Sequence, residues 1–277
     1  MRWSDYRQST NVEDRRGIGG RGLALGGGGL GALIIGLAVF LCGGGDIQQF
    51  LESLQTQTEV QRPPTASNST NQPPDQNRQF AGAIMAMTED VWAQVLPQQA
   101  SVRYRAPKLV VFTDQVSSAC GYAGAATGPF YCPGDYSLYL DFAFFRELKN
   151  EFKAPGDFAQ AYVIAHEVGH HVQNLLGTMD KVQRAGRDSQ LSVGLELQAD
   201  CYAGIWANNA QKKGRVEAGD AEEAIRAAAA VGDDIIQKRT QGYVVPDSFT
   251  HGSSQQRMQW FAKGFQTGDM RQCEAFR

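Results

Sequence analysis

The sequence predicts an α+β domain, strands first and helices after, behind one apolar segment long enough to cross a membrane. Three observations predict it. Residues 23–42 carry no charge; residues 108–141 hold short β-branched and aromatic runs broken by Pro, Gly and Asp; and beyond residue 157 apolar side chains recur at helical spacing.

Taken in order, residues 1–22 are charged, with Arg2, Arg7, Arg15, Arg16 and Arg21. Residues 23–42, at 1.5 Å per helical residue, reach about 30 Å, the hydrocarbon thickness of a bilayer. Gly26, Gly27, Gly28 and Gly29 weaken this segment and leave a glycine-rich loop or a cleaved signal peptide as alternatives. The apolar run is longer than a signal-peptide core, however, and Leu41-Cys42-Gly43 offers no small-x-small cleavage site. Bulky Phe40 and Leu41 argue against a lipoprotein cysteine at Cys42. The arginines before the span, against Asp46 and Glu52 after it, place residues 1–22 in the cytoplasm and export the rest. Gly28, Ala32 and Gly36 recur every four positions and Gly27 with Gly31 forms GxxxG, which allows a homo-oligomer through the span; glycine abundance explains the pattern equally well.

Residues 43–79 read as a flexible tether, because Gln61-Arg62-Pro63-Pro64 through Asn71-Gln72-Pro73-Pro74 is too polar and proline-rich to bury a core. Residues 80–277 are expected to form one domain. It starts with a helix near 80–96, followed by a strand at 108–113. A strand pair, 129–132 and 137–141, is joined through the turn Pro133-Gly134-Asp135, and the second half is helical, with a cap at Asp220 leading into an alanine-rich helix over 224–237.

Only four histidines occur, and two fall in His166-Glu167-Val168-Gly169-His170, an HExxH pentad. On a helix, i and i+4 share a face, so His166 and His170 can reach one zinc ion while Glu167 stands beside it as a base. The apolar run Ala161-Tyr162-Val163-Ile164-Ala165 before the pentad and Val168 and Val172 within and after it make the helix a buried one, where unpaired polar side chains are costly. Pro155 and Gly156 precede Asp157, read as N-cap with Gln160 in capping-box position, and Gly177 follows, so the helix is placed at 158–176. His171 is rotated about 100° from His170 and is read as a packing or orienting residue.

Catalytic zinc takes a third protein ligand. The metzincin extension fails, since Gln173 and Leu176 stand where Gly and His are needed. A carboxylate remains, and Leu195-Glu196-Leu197-Gln198-Ala199-Asp200 supplies two at i, i+4 in a helix expected to start at Asp188 or Ser189 and end before Gly214. Glu196 is assigned as ligand, and Asp200 as acceptor of a hydrogen bond from the far nitrogen of a ligating histidine. The bland alternative is a solvated acidic face, against which the neighbours Leu195, Leu197, Ala203, Ile205 and Trp206 argue.

HExxH followed by ExxxD resembles the gluzincin metallopeptidases, and the strings Val163-Ile164-Ala165-His166-Glu167-Val168-Gly169-His170-His171-Val172-Gln173 and Glu196-Leu197-Gln198-Ala199-Asp200-Cys201 resemble the bacterial neutral zinc metallopeptidases of the YpfJ type. The resemblance runs along the whole chain and implies a zincin fold and a single-pass membrane enzyme; it implies no substrate. His251 followed by Arg257 is similar to a His and Arg placed after the ExxxD helix in CAAX-type gluzincins, although Gly252 stands where those carry Pro. Chemistry gives a separate reason for such a histidine, because the tetrahedral intermediate of amide hydrolysis carries an oxyanion that a donor opposite the metal stabilises. Arg257 either assists or pairs with a carboxylate to hold the loop, which leads into a helix capped by Ser253 or Ser254.

Cys120, Cys132, Cys201 and Cys273 make an even set in the domain expected to be exported, as disulfides require. Three connectivities are open. Cys120 with Cys132 would close a loop across the hairpin, leaving Cys201 to tie Cys273 at the chain end to the active-site helix. A cysteine zinc site finds no CxxC. The net charge of −3 and pI near 5.8 argue against nucleic acid.

The expectation is therefore an endopeptidase of the bacterial inner membrane, its catalytic domain periplasmic or extracellular. Zinc on His166, His170 and Glu196 would lower the pKa of a bound water to roughly 7, and Glu167 would take its proton. An extended peptide or protein substrate is expected to add as a strand along a sheet edge, placed at residues 137–141. Two other readings compete: an inactive zincin-fold binding module, against which retention of Glu167 argues, and a zinc amidase acting on a non-peptide envelope substrate.

Overall fold

The computed structural model describes residues 1–17, 75–124, 127–186 and 188–276. Its elements are β1 (Val12–Asp14), α1 (Gln76–Ala100), β2 (Lys108–Phe112), β3 (Gln115–Ser118), β4 (Gly121–Gly124), β5 (Phe130–Cys132), β6 (Ser137–Asp141), α2 (Ala143–Asn150), α3 (Asp157–Leu175), α4 (Thr178–Ala185), α5 (Ser189–Lys212), α6 (Asp220–Ala230), α7 (Asp233–Gln241) and α8 (Ser254–Thr267). The mixed α+β class holds, with helices dominating.

The four-stranded sheet has the order β1-β2-β6-β5, with β1, β2 and β6 parallel and β5 antiparallel to β6. The strand pair expected at 129–132 and 137–141 is β5 and β6. β3 and β4 form a separate antiparallel hairpin. Parallel strands are covered on both faces, and β2 and β6 accordingly bury Leu109, Val110, Val111, Phe112, Leu138, Tyr139 and Leu140. The core between sheet and helices is filled by Ile84, Trp92, Phe158, Tyr162, Trp206 and Phe261.

Residues 1–16 belong to this unit. Met1–Arg16 and Asp75–Arg277 form one compact body. β1 pairs with β2 in the register Val12 to Leu109, the Trp3 ring packs edge-on against Phe80 at 5.3 Å, and Arg7 lies on Glu89 and Asp90. The Met1 ammonium is buried among Asp157, Glu217 and Asp220 at 3.0, 3.2 and 3.3 Å. Of the expected partition into a cytoplasmic 1–22, a tether 43–79 and a domain 80–277, the first part changes in that residues 1–16 pack on the domain, while the tether up to residue 74 lies outside the described residues. Strands that share a sheet lie on the same side of any membrane, so residues 1–16 go with the domain, which resumes at Asp75, the N-cap of α1. The span expected at 23–42 lies outside the described residues; among the described ones, no helix is long and apolar enough to cross a membrane.

Two local expectations also change. Asp157 does not cap α3: it is the first helical residue, its carboxylate holds Met1, and Glu223 accepts the Phe158 N–H at 3.1 Å in its place. The alanine-rich helix ends at Ala230 and restarts at Asp233, the backbone of Gly232 being extended there, and a Cβ on Gly232 would stand 2.4 Å from the Ser254 nitrogen where α8 begins. Both expected disulfides are present, Cys120–Cys132 and Cys201–Cys273.

Candidate metal centre

α3 carries the HExxH pentad and α5 the ExxxD pentad, and the distance between these helices is set by Gly169. A Cβ there would stand 2.8 Å from the Ala199 carbonyl oxygen, so only glycine lets the two backbones meet at this level. The close crossing brings Glu196 to the histidines. Its Oε2 lies 3.2 Å from His166 Nε2 and its Oε1 3.4 Å from His170 Nε2. Ligands about 2.1 Å from a tetrahedral ion stand about 3.4 Å apart, so each histidine Nε2 stands from a Glu196 oxygen at the spacing zinc requires, and one ligand atom from each of the three residues lies within 4.8 Å of the others.

The far nitrogens are held as well. His166 Nδ1 lies 2.9 Å from Asp200 Oδ1, and a carboxylate there keeps the proton on Nδ1 and would leave the Nε2 lone pair for a metal ion. Asp200 is fully buried; it accepts the Tyr162 hydroxyl at 2.5 Å and two bonds from Arg257, Nε at 2.8 Å and Nη2 at 3.0 Å. Of the two roles open to Arg257, the carboxylate pairing is the one observed. His170 Nδ1 has its own partner, Gln173 Oε1 at 2.9 Å.

Electrostatics follow from this density of charge. Burial disfavours the imidazolium of His166, but Asp200 and Glu196 outweigh it and raise its pKa; Glu196 does the same for His170. Burial would raise Glu196, yet the two histidines hold it well below the usual carboxylate range. Glu167 differs: burial raises its pKa, and it makes no hydrogen bond among the described residues. It borders a cleft of about 800 Å³ together with His166, His170, Glu196, His251 and Arg257.

His251 stands in the loop before α8, half exposed, with Nδ1 3.1 Å from Asp233 Oδ1. Asp233 Oδ2 accepts the backbone N–H groups of Thr250, His251 and Gly252 at 2.7, 2.6 and 3.0 Å, which fixes the loop against the start of α7. Ser253 is the N-cap of α8 and makes a capping box with Gln256.

The edge strand needs correction. β6 lies inside the sheet between β2 and β5, so residues 137–141 have no free edge. The edge is β5, and Phe130 and Tyr131 with the preceding Gly128 and Pro129 line the cleft. His171 ties that strand to α3: its Nε2–H donates to the Arg105 carbonyl at 2.6 Å, and its Nδ1 accepts the Tyr131 hydroxyl at 3.0 Å. Burial pushes its pKa down to about 4.

Sequence reasoning left Tyr162, Gln173, Gln198 and Asp233 without a role. Tyr162 and Gln173 carried a signal, standing four residues before His166 and three after His170 on the helix. Asp233 and Gln198 carried none, because the partners of Asp233 come from a distant loop and those of Gln198 from another helix and a distant turn.

Over residues 1–276 the chain matches a family model described as "Putative neutral zinc metallopeptidase". It is 45% identical over 289 residues to the uncharacterized protein YpfJ of Escherichia coli (strain K12), covering 100% of this chain and 99% of that one. It is 44% identical over 198 residues to the uncharacterized proteins Rv2575 of Mycobacterium tuberculosis (strain ATCC 25618 / H37Rv) and Mb2605 of Mycobacterium bovis, covering 67% of this chain and 66% of theirs. No solved structure matches the chain significantly.

Proposed function

The chain belongs to this neutral zinc metallopeptidase family, and from that premise we propose that it is a zinc-dependent endopeptidase whose ion is held by His166, His170 and Glu196. The observation that carries the reading is the spacing of 3.2 and 3.4 Å between the Glu196 oxygens and the two Nε2 atoms, with Glu167 beside them facing the cleft. A structural zinc site closes its fourth position with a ligand and needs no base. Here the neighbouring carboxylate has no protein partner among the described residues and opens on the cleft, which favours catalysis over a binding module.

Zinc in this position supplies a Lewis acid that acidifies water and polarises a carbonyl. Glu167, its pKa raised by burial, takes a proton from the attacking water and delivers it to the leaving nitrogen, so that C–N cleavage is balanced by N–H formation. Asp200 and Arg257 hold His166 in register. His251, its Nδ1 proton fixed by Asp233, offers Nε2 to the oxyanion. An extended peptide adds along β5, its backbone contacts setting recognition. The half-buried Phe130 and Phe144 and the residues Val163, Met179 and Leu195 give the cleft an apolar lining suited to apolar side chains.

The two disulfides support an oxidising compartment for the folded unit. β1 accompanies it there, since it is part of the same sheet. The uncharged stretch at 23–42 supports attachment to the bacterial inner membrane without a single crossing, since the residues before and after it share one sheet.

The deciding experiment measures zinc content and peptide hydrolysis together. The purified chain is expected to carry about one zinc and to cut an unfolded protein or a quenched peptide library. Glu167→Gln should keep the metal and lose hydrolysis by about 10²–10⁴-fold, whereas His170→Ala and Glu196→Ala should lose the metal. Full zinc and full turnover in Glu196→Ala would remove Glu196 from the ligand set. Hydrolysis unchanged in Glu167→Gln would end the reading of Glu167 as the base, and no hydrolysis by the zinc-loaded native chain would end the peptidase reading.

A further inference from the structure

Gln173 and Gln198 are buried amides outside the set of ligands, base and oxyanion donor, at 0% and 5% exposure. Their orientation can be settled from their partners. The Gln173 Nε2 lies 2.7 Å from the Leu195 carbonyl oxygen. A carbonyl only accepts, so that end of the amide is the NH2 group. Its other end, Oε1, therefore faces His170 Nδ1 at 2.9 Å and obliges that nitrogen to carry the proton. The Nε2 lone pair of His170 is left for the ion.

The same reasoning fixes Gln198. Its Nε2 lies 3.0 Å from the Cys273 carbonyl oxygen and must be the donor, so its Oε1 receives the second hydrogen of Gln173 at 3.1 Å. Donors thus run in one direction: His170 to Gln173, Gln173 to Gln198, and Gln198 to the main chain at Cys273. With so little exposure, water cannot replace a missing member. Cys273 lies in a short 3₁₀ turn, Met270–Cys273, close to the chain end, and the Cys201–Cys273 disulfide binds that turn to α5. Cys201 follows Asp200 directly and is five residues beyond Glu196 on the same helix. The covalent link therefore holds the terminal acceptor against the element that carries the third ligand. Gln173 also grips the carbonyl of Leu195, the residue before Glu196.

Resting on the zinc reading above, we propose that Gln173 and Gln198 are positioning residues of the second histidine ligand, and that the Cys201–Cys273 disulfide secures the last acceptor of their hydrogen-bond chain, so that zinc affinity depends on it. His166 and His170 are then oriented by different chemistry. The first is held by a carboxylate paired with arginine, the second by neutral amides whose order is imposed from the chain end.

The test is zinc affinity of the full chain, measured by competition with a chromophoric chelator, alongside thermal unfolding of the metal-free protein. Gln173→Met is expected to weaken zinc on the order of 10–100-fold, the range for partners of a metal-bound histidine. Gln198→Met, and Cys201→Ser combined with Cys273→Ser, should shift affinity in the same direction, by less than about tenfold. Gln173→Glu is the discriminating variant. It keeps an acceptor for His170 while losing both donors, so it should retain affinity near that of the native chain even where metal-free stability falls as in Gln173→Met. A role in packing alone would weaken both variants equally or leave zinc untouched in both, and either result overturns the proposal. Native affinity in the serine double variant overturns the part assigned to the disulfide. If the native chain binds no zinc, or His170→Ala binds it as well as the native chain, the metal site itself is wrong and the positioning roles fall with it.

Discussion

The guanidinium of Arg257 grips both oxygens of Asp200, and both side chains are buried. A buried carboxylate without a counter-charge is expensive, and this one already accepts from Tyr162 and His166. Arg257 therefore holds Asp200 ionised at the place where it fixes the proton of His166, the first proposed zinc ligand, although burial alone would raise its pKa. Replacing one member of such a pair costs more than replacing both.

Arg257→Met is accordingly expected to destabilise the metal-free protein by about 3 kcal/mol and to weaken zinc by roughly 10–100-fold. Asp200→Asn should disturb zinc in the same range while leaving Arg257 bonded to the amide oxygen. Chelator competition and denaturant unfolding on the same preparations check both. Zinc affinity unchanged in both variants would show that this network only supports the fold.

The grouping of these side chains was legible in the sequence because helical period alone places His166 with His170, and Glu196 with Asp200. Their meeting across two helices depends on Gly169 and Ala199, and no pattern reads that a Cβ at position 169 would stand 2.8 Å from the Ala199 carbonyl oxygen. The sheet edge was misplaced for a related reason. Runs such as Ser137 to Asp141 announce a strand, but strand order is tertiary, and β6 turned out to lie between β2 and β5. β1 was invisible. Its three residues, Val12, Glu13 and Asp14, are mostly polar, and what makes them a strand is β2, nearly a hundred residues away. The charge of residues 1–16 suggested a cytoplasmic flank, whereas the acidic residues that neutralise it, Glu89, Asp90, Asp157 and Asp220, lie in the folded unit.

Residues 1–16 should therefore contribute to stability. A chain lacking them exposes the edge of β2, the Phe80 face that Trp3 covers and the carboxylates around Met1. Burial of Met1 and Trp3 alone is worth at least ~2 kcal/mol. The truncated chain is expected to unfold at lower denaturant concentration and to yield less soluble protein. A transition identical to that of the full chain would show that the segment does not pack on the unit in solution.

His171 predicts a loss of stability in mild acid. Its pKa in the folded protein is about 4, against an ordinary 6.5, so the fold prefers the neutral ring. The stabilisation is complete above pH 6.5 and is lost as pH falls from 6.5 toward 4, amounting to about 3 kcal/mol across that window. The protonated ring could no longer accept the Tyr131 hydroxyl, so β5 should loosen from α3 first. Urea unfolding of the metal-free chain at pH 7 and pH 5 measures this. His171→Gln should be less stable at pH 7 but depend less on pH across the window. An equal pH dependence in both proteins would assign the acid sensitivity elsewhere.

The last prediction concerns His251. Its Nδ1 proton is directed at Asp233, so Nε2 can donate a hydrogen bond only when the ring is an imidazolium. The hydrogen bond to Asp233 raises its pKa above 6.5, outweighing the effect of burial, which extends the charged form toward neutral pH. His251→Ala is expected to keep its zinc and its fold and to lower kcat by about 10²–10³, the range found on removing one oxyanion donor. Turnover of the native enzyme should fall as pH rises through the His251 pKa, and this alkaline limb should be missing in the variant. Asp233→Asn should move the limb to lower pH, since the carboxylate that favours the imidazolium is gone; it should also loosen the loop through the N–H groups of Thr250, His251 and Gly252. Loss of zinc in His251→Ala would make the residue a ligand, and an unchanged kcat with the alkaline limb intact would leave the oxyanion to other donors.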